Sequence, residues 1–135
     1  RKGRLESVSE HKRGLILKAA REVFEAEGLE GASIRAIAAR AGYTAPALYF
    51  HFDSKEAVYA ELLRVSLSEL GSAVNDAVSE AGSPETRLRA AAMAFYQFYA
   101  DNPSDLDLGF YLFRGGMKPV GLGRDRDKAL NAALE

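Results

Sequence analysis

The twenty residues from Ser33 to Phe52 restrict this chain more tightly than any other stretch. Ser33 is a helix-capping residue type, and Ile34, Ile37, Ala38 and Ala41 follow at the three- and four-residue steps of one helical stripe. Gly42 breaks that stripe. Thr44 can accept from the first free amides of a second helix, Pro46 is tolerated in its first turn, and Leu48 and Phe52, four residues apart, give it an inward face. A helix of barely two turns does not persist alone in water, so this one must be braced by its neighbour. Short helix, glycine turn and short helix form the helix-turn-helix plan, and a helix about 10 to 12 Å across fits a DNA major groove roughly 12 Å wide. An ordinary helical hairpin within an all-helical core satisfies the same spacing.

Elsewhere two-residue alternation is scarce and apolar residues recur at helical steps, which predicts an all-α chain. Ser7 and Glu10 suggest a capping box opening a first helix whose face is Ile16, Ala19, Ala20, Val23 and Phe24; Gly28 ends it and Leu29 folds back over the end. Asp53 and Glu56 suggest a second box opening a long fourth helix, with Leu63, Leu67, Leu70, Val74 and Val78 on its apolar face, ending at Ala81. Ser83 and Pro84 start a fifth helix through Ala100, which Asn102 and Pro103 stop. Leu106 to Phe113 reads as a short helix, Gly115 to Gly123 as a loop or link, and a last amphipathic segment begins near Asp125. That segment reaches Glu135 with no stop signal, the pattern of a chain lacking a C-terminal part.

The net charge of −1 hides an asymmetry: residues 1–55 carry +3 and residues 56–135 carry −4. Positive charge therefore collects with the two short helices, densest at Arg1, Lys2 and Arg4, although a terminal charge run by itself is commonly solvated slack. The chain has no cysteine, which excludes disulfides and thiol chemistry. No apolar run approaches the ~18 residues of a membrane span, and the charged N-terminus is unlike a secretory signal, so a cytoplasmic protein is expected. His11 and His51 pair with no serine or carboxylate at a triad-like spacing, so no catalytic residue is named. Asp101, Asp105 and Asp107 lack the spacing and glycine of a calcium loop and read as helix-end residues near Pro103; no metal or cofactor is expected.

From Leu15 to Leu63 the residues resemble the TetR/AcrR family of bacterial regulators. The resemblance is carried by Ile16, Ala19, Ala20 and Phe24 ahead of Gly28, by Ser33 to Ala38, by Ala41 and Gly42, and above all by the run from Ala47 to Glu56. It implies a three-helix DNA-binding domain over residues 1–53 and the N-terminal part of a ligand-binding and dimerisation domain over 54–135. It further implies a homodimeric repressor that a small-molecule effector releases from double-stranded operator DNA. The third helix would enter the major groove, with Tyr43, Thr44, Ala45, Pro46 and Ala47 at its leading end. Tyr49 and Lys55 would clamp phosphates, a role their hydroxyl and ammonium suit, while Ser33 offers a hydroxyl and free amides. His51 matches an aromatic or His position near the phosphates, and a half-buried helix-end histidine is an equal alternative.

Many relatives carry a polar residue where this chain has Ala45 and Pro46, so base-edge hydrogen bonding is thin here. Thr44 and Ala47 can contact thymine methyl groups, and Arg35, the N-terminal arm or DNA shape would supply the rest of the specificity. In the second half the resemblance places Met93, Phe95, Tyr96, Tyr99, Phe110 and Tyr111 around an effector cavity; plain core packing explains the same aromatic spacing. A helical adaptor using the same short helices against a protein partner is the alternative function.

Overall fold

The computed structural model describes residues 2–114 and 124–134, and the described residues form helices without strands. These are α1 (Lys2–Gly31), α2 (Ile34–Ala41), α3 (Ala45–His51), α4 (Lys55–Ser79), α5 (Pro84–Asp101), α6 (Pro103–Arg114) and α7 (Arg124–Leu134). The expected link over residues 115–123 lies outside the described residues. The chain divides into two compact units, Arg1–Leu62 and Leu63–Glu135.

In the first unit, α2 packs against both α1 and α3. Its centre takes one side chain from each of four helices: Ile16, Ile37, Leu48 and Val58, none more than 1% exposed. Burying an aliphatic side chain of this size contributes about 1.5 to 3 kcal/mol, and the four together hold elements too short to stand alone. Phe24 meets Tyr59 edge-on, with ring centroids 5.1 Å apart, and Leu62 is also buried. Val58, Tyr59 and Leu62 of α4 are also buried, and the first compact unit runs through the first two turns of that helix.

Most helix ends follow their local signals. Ser33 Oγ accepts from the Ala36 amide at 3.0 Å, Thr44 Oγ1 from the Ala47 amide at 3.4 Å, and Ser83 and Thr86 complete a reciprocal capping box. Gly42 ends α2 in the left-handed region, φ 78°, where its amide and that of Tyr43 reach back to Ala39 O and Ala38 O at 3.2 and 2.9 Å. Two expected caps are corrected. Helix α1 already starts at Lys2, so Ser7 lies inside it; Arg4, Leu5 and Glu6 all favour helix and nothing before Ser7 stops it. At α4 the cap is Ser54, whose hydroxyl accepts from the Ala57 amide at 3.2 Å, and not Asp53. Gly28 does break α1, with φ 71°, and Leu29 beyond it is buried.

The second unit buries Leu63 and Leu70 of α4, Leu108 of α6 and Leu130 of α7. The same unit buries a polar pair, Ser66 Oγ donating to Asp105 Oδ2 at 2.7 Å. Helix α5 packs with α6 yet has no buried residue. Helix α6 begins at Pro103, three residues ahead of the expected Leu106, because Asn102 both closes α5 and accepts from the Asp105 amide at 3.0 Å.

Gly42→Ala should destabilise the chain by about 1 to 2 kcal/mol, since open space surrounds the added methyl and only the left-handed backbone opposes it. A urea midpoint equal to the wild type would contradict this. Ser66→Ala removes a donor from a buried carboxylate and should cost roughly 1 to 3 kcal/mol, read as a lower thermal midpoint.

Candidate nucleic-acid interface

Helix α3 has seven residues, and Leu48 is its buried side chain. Fixing Leu48 inward sets every other direction on the helix. Phe50, two residues on, lies about 200° around the axis and is 87% exposed; Tyr49 is 55% exposed. Thr44 and Pro46 are exposed, and Tyr43, Ala45 and Ala47 are half-buried. The leading end of α3 is therefore open, as its residues require if they are to touch another molecule. Phe50 was not among the residues singled out from the sequence, although its two-residue offset from Leu48 already turned it outward.

At the other short helix, Ser33 and Arg35 are exposed at the N-terminal end of α2, where free amides and the positive end of the helix dipole favour an anion. Arg40 does not share this freedom: its Nε lies 2.6 Å from Glu22 Oε2 on α1. The pair is largely exposed and contributes little to stability, but it takes up the cation. Arg13 is likewise occupied, with its guanidinium 4.6 Å above the Phe52 ring and 3.6 Å from Glu61.

His51 ends α3 half-buried, its ring edge-on to Phe50 at 5.5 Å. Lys55 reaches back along the chain. Its Nζ donates to two backbone carbonyls, Glu30 O and Ala32 O, each at 3.1 Å, so two of its three N–H groups are already used.

The charged N-terminal run, expected as slack or an arm, is helical from Lys2. Its Leu5, Val8 and Lys12 line a groove of about 360 Å³ whose other wall is Tyr43, Ala47 and Phe50. The first turns of α1 thus run beside the outward face of α3, and Lys12 adds a cation there. Spacing alone could not show this, because Ser7 suggested a helix start three residues past Arg4.

The expected pocket residues behave differently. Met93, Phe95 and Tyr96 are 59%, 52% and 67% exposed, so α5 presents them outward. Tyr99 is more enclosed, with Phe95 and Phe98 edge-on at 5.0 and 5.2 Å. Burial, and secondarily the negative charge of Asp105, pushes its phenol pKa above the usual value and keeps the hydroxyl protonated. Ser66 and Asp105, paired by their 2.7 Å hydrogen bond, are not recognisable in the sequence as a pair because 39 residues separate them. The side chains of Phe110 and Tyr111 lie outside the described residues.

Residues 16–62 match the family of bacterial regulatory proteins, tetR family. The chain is 40% identical over 89 residues to the HTH-type transcriptional activator FasR of Mycolicibacterium smegmatis, covering 66% of this chain and 41% of FasR. It is 37% identical over 86 residues to the HTH-type transcriptional repressor KstR2 of Mycobacterium tuberculosis, covering 64% and 43%. Among solved structures, a tetR family transcription regulator from Shewanella superposes over 91% of this chain and 64% of its own, with a TM-score of 0.73 and 28% identity. The chain spans less than half the length of the FasR and KstR2 proteins that it matches. With the helix-turn-helix inside the matched residues, and described helices arranged as in a solved member, residues 16–62 of the chain belong to the tetR family of bacterial regulatory proteins.

Proposed function

We propose that this chain carries the DNA-reading part of a transcription regulator that binds double-stranded operator DNA as a homodimer and answers to a small-molecule effector. The observation that carries the reading is α3: anchored by Leu48, it turns Tyr49 and Phe50 outward from a helix narrow enough for a major groove. Residues 1–53 contain this reader. Residues 54–135 supply the beginning of the sensing and dimerising part, with Tyr99 as its best-placed polar group and Met93, Phe95 and Tyr96 as an apolar face.

Contacts divide by chemistry. Tyr49, Ser33 and the α2 amides suit phosphates, which position the protein; Arg35 adds charge, and His51 and Lys12 stand at the edge of the same face. Thr44, Ala45, Pro46 and Ala47 present methyl and methylene groups, so thymine methyls are their natural targets. Tyr43 lies between the two sets. Repression relieved by an effector is the proposed direction of control, supported by the KstR2 relatives, while the FasR relative is an activator.

Duplexes selected from a random library should bind the intact chain with affinity that falls steeply as salt rises; binding indifferent to salt would refute DNA contact. Tyr49→Phe deletes one hydroxyl and should weaken selected and random duplexes alike, by on the order of 1 kcal/mol, with the salt slope unchanged. Thr44→Ser keeps the cap of α3 but removes the methyl, so it should lower the ratio of selected to random binding while random binding stays constant. Equal loss on both duplexes would contradict that assignment.

A further inference from the structure

Residue Lys55 stands at the first position of α4, immediately after the two-helix reader. The two carbonyls that it binds, Glu30 O and Ala32 O, stand immediately before that reader. Entrance and exit of the segment 33–54 are therefore fastened at one ammonium group. Burial of Leu29 and Ala32 also holds the link entering α2. Its helical path is broken at Gly28, with φ 71°, and Ala32 bonds back to Gly28 O at 3.1 Å. Carbonyls in the last turn of a helix, such as Glu30 O, and just beyond it, such as Ala32 O, lack intrahelical donors and lie at the negative end of its dipole, where a lysine ammonium is favourable.

A side chain so placed keeps one N–H group for other partners and is not free to swing toward a phosphate without loss. Turning Nζ toward DNA would strip two carbonyls of their charged donor, one of these bonds being partly buried. We propose that Lys55 is a positioning residue, whose ammonium closes the reader through Glu30 O and Ala32 O and so fixes how α2 and α3 are presented. The inference rests on the DNA-binding reading above, but its geometric half is independent of it.

The test compares wild type, Lys55→Met and Lys55→Gln in the intact chain, on a random-sequence duplex over a series of potassium chloride concentrations, with amide hydrogen exchange measured in parallel. Lys55→Met should bind at least about tenfold more weakly at every salt concentration. The slope of log affinity against log salt should match the wild type, and the amides of residues 29–36 should exchange faster. Lys55→Gln retains N–H donors without charge, and should bind more tightly than Lys55→Met at the wild-type slope; it carries the test if the methionine variant fails to fold. A slope shallower by about 0.9 in both variants, the loss of one phosphate contact, with exchange at 29–36 unchanged, would overturn the proposal. Salt-insensitive binding by the wild type would instead sink the DNA-binding reading, and exchange at 29–36 would still decide whether Lys55 fastens the link.

Discussion

Burial of Leu48 against a core built from four helices is the constraint on which the rest of the first unit depends. Helix α3 is seven residues long and begins with an alanine and a proline after a threonine cap. Nucleation and propagation cannot sustain such a helix in water, so its existence and its orientation both come from tertiary packing. Ile16, Ile37 and Val58 provide that packing from α1, α2 and α4. Once Leu48 is committed inward, the helical period leaves Tyr49 and Phe50 no other direction than outward. An exposed aromatic pair on a two-turn helix is costly for a simple structural element and useful for a reading element.

Charge then refines what packing has set. Of the cations near the reader, Arg40 is spent on Glu22, Arg13 on Phe52 and Glu61, and Lys55 on two backbone carbonyls. Positive residues therefore play two parts in this unit. Some join helices to one another, and others, such as Arg35 and Lys12, remain exposed on its surface. The surplus of +3 over residues 1–55 thus includes Arg13 and Lys55, whose donors are engaged within the protein.

What could be read from the sequence was local. Ser33, Gly42, Thr44 and Ser83 act on amides or carbonyls within a few residues, so residue type and spacing were sufficient to place them. Ser7 was misleading because a serine is only a cap where helix formers do not already precede it, and Asp53 lost to Ser54 because both are capping types and one residue of register decides between them. Long-range pairings left no sequence trace: Lys55 reaches back 23 and 25 residues, and Ser66 meets Asp105 across 39. Aromatic enrichment after residue 90 does not reveal which way each ring faces: Tyr99 is half-buried against Phe95, while Tyr96 stands open.

The central claim, that the outward face of α3 enters a DNA groove, is tested most directly by placing a photo-crosslinking benzophenone amino acid at Phe50 and, separately, at Leu88 on α5, both strongly exposed. Irradiation with a selected duplex should yield a protein–DNA adduct from position 50 that excess unlabelled duplex suppresses, and none from position 88. Adducts from position 88 alone, or equal yields from both, would contradict the account.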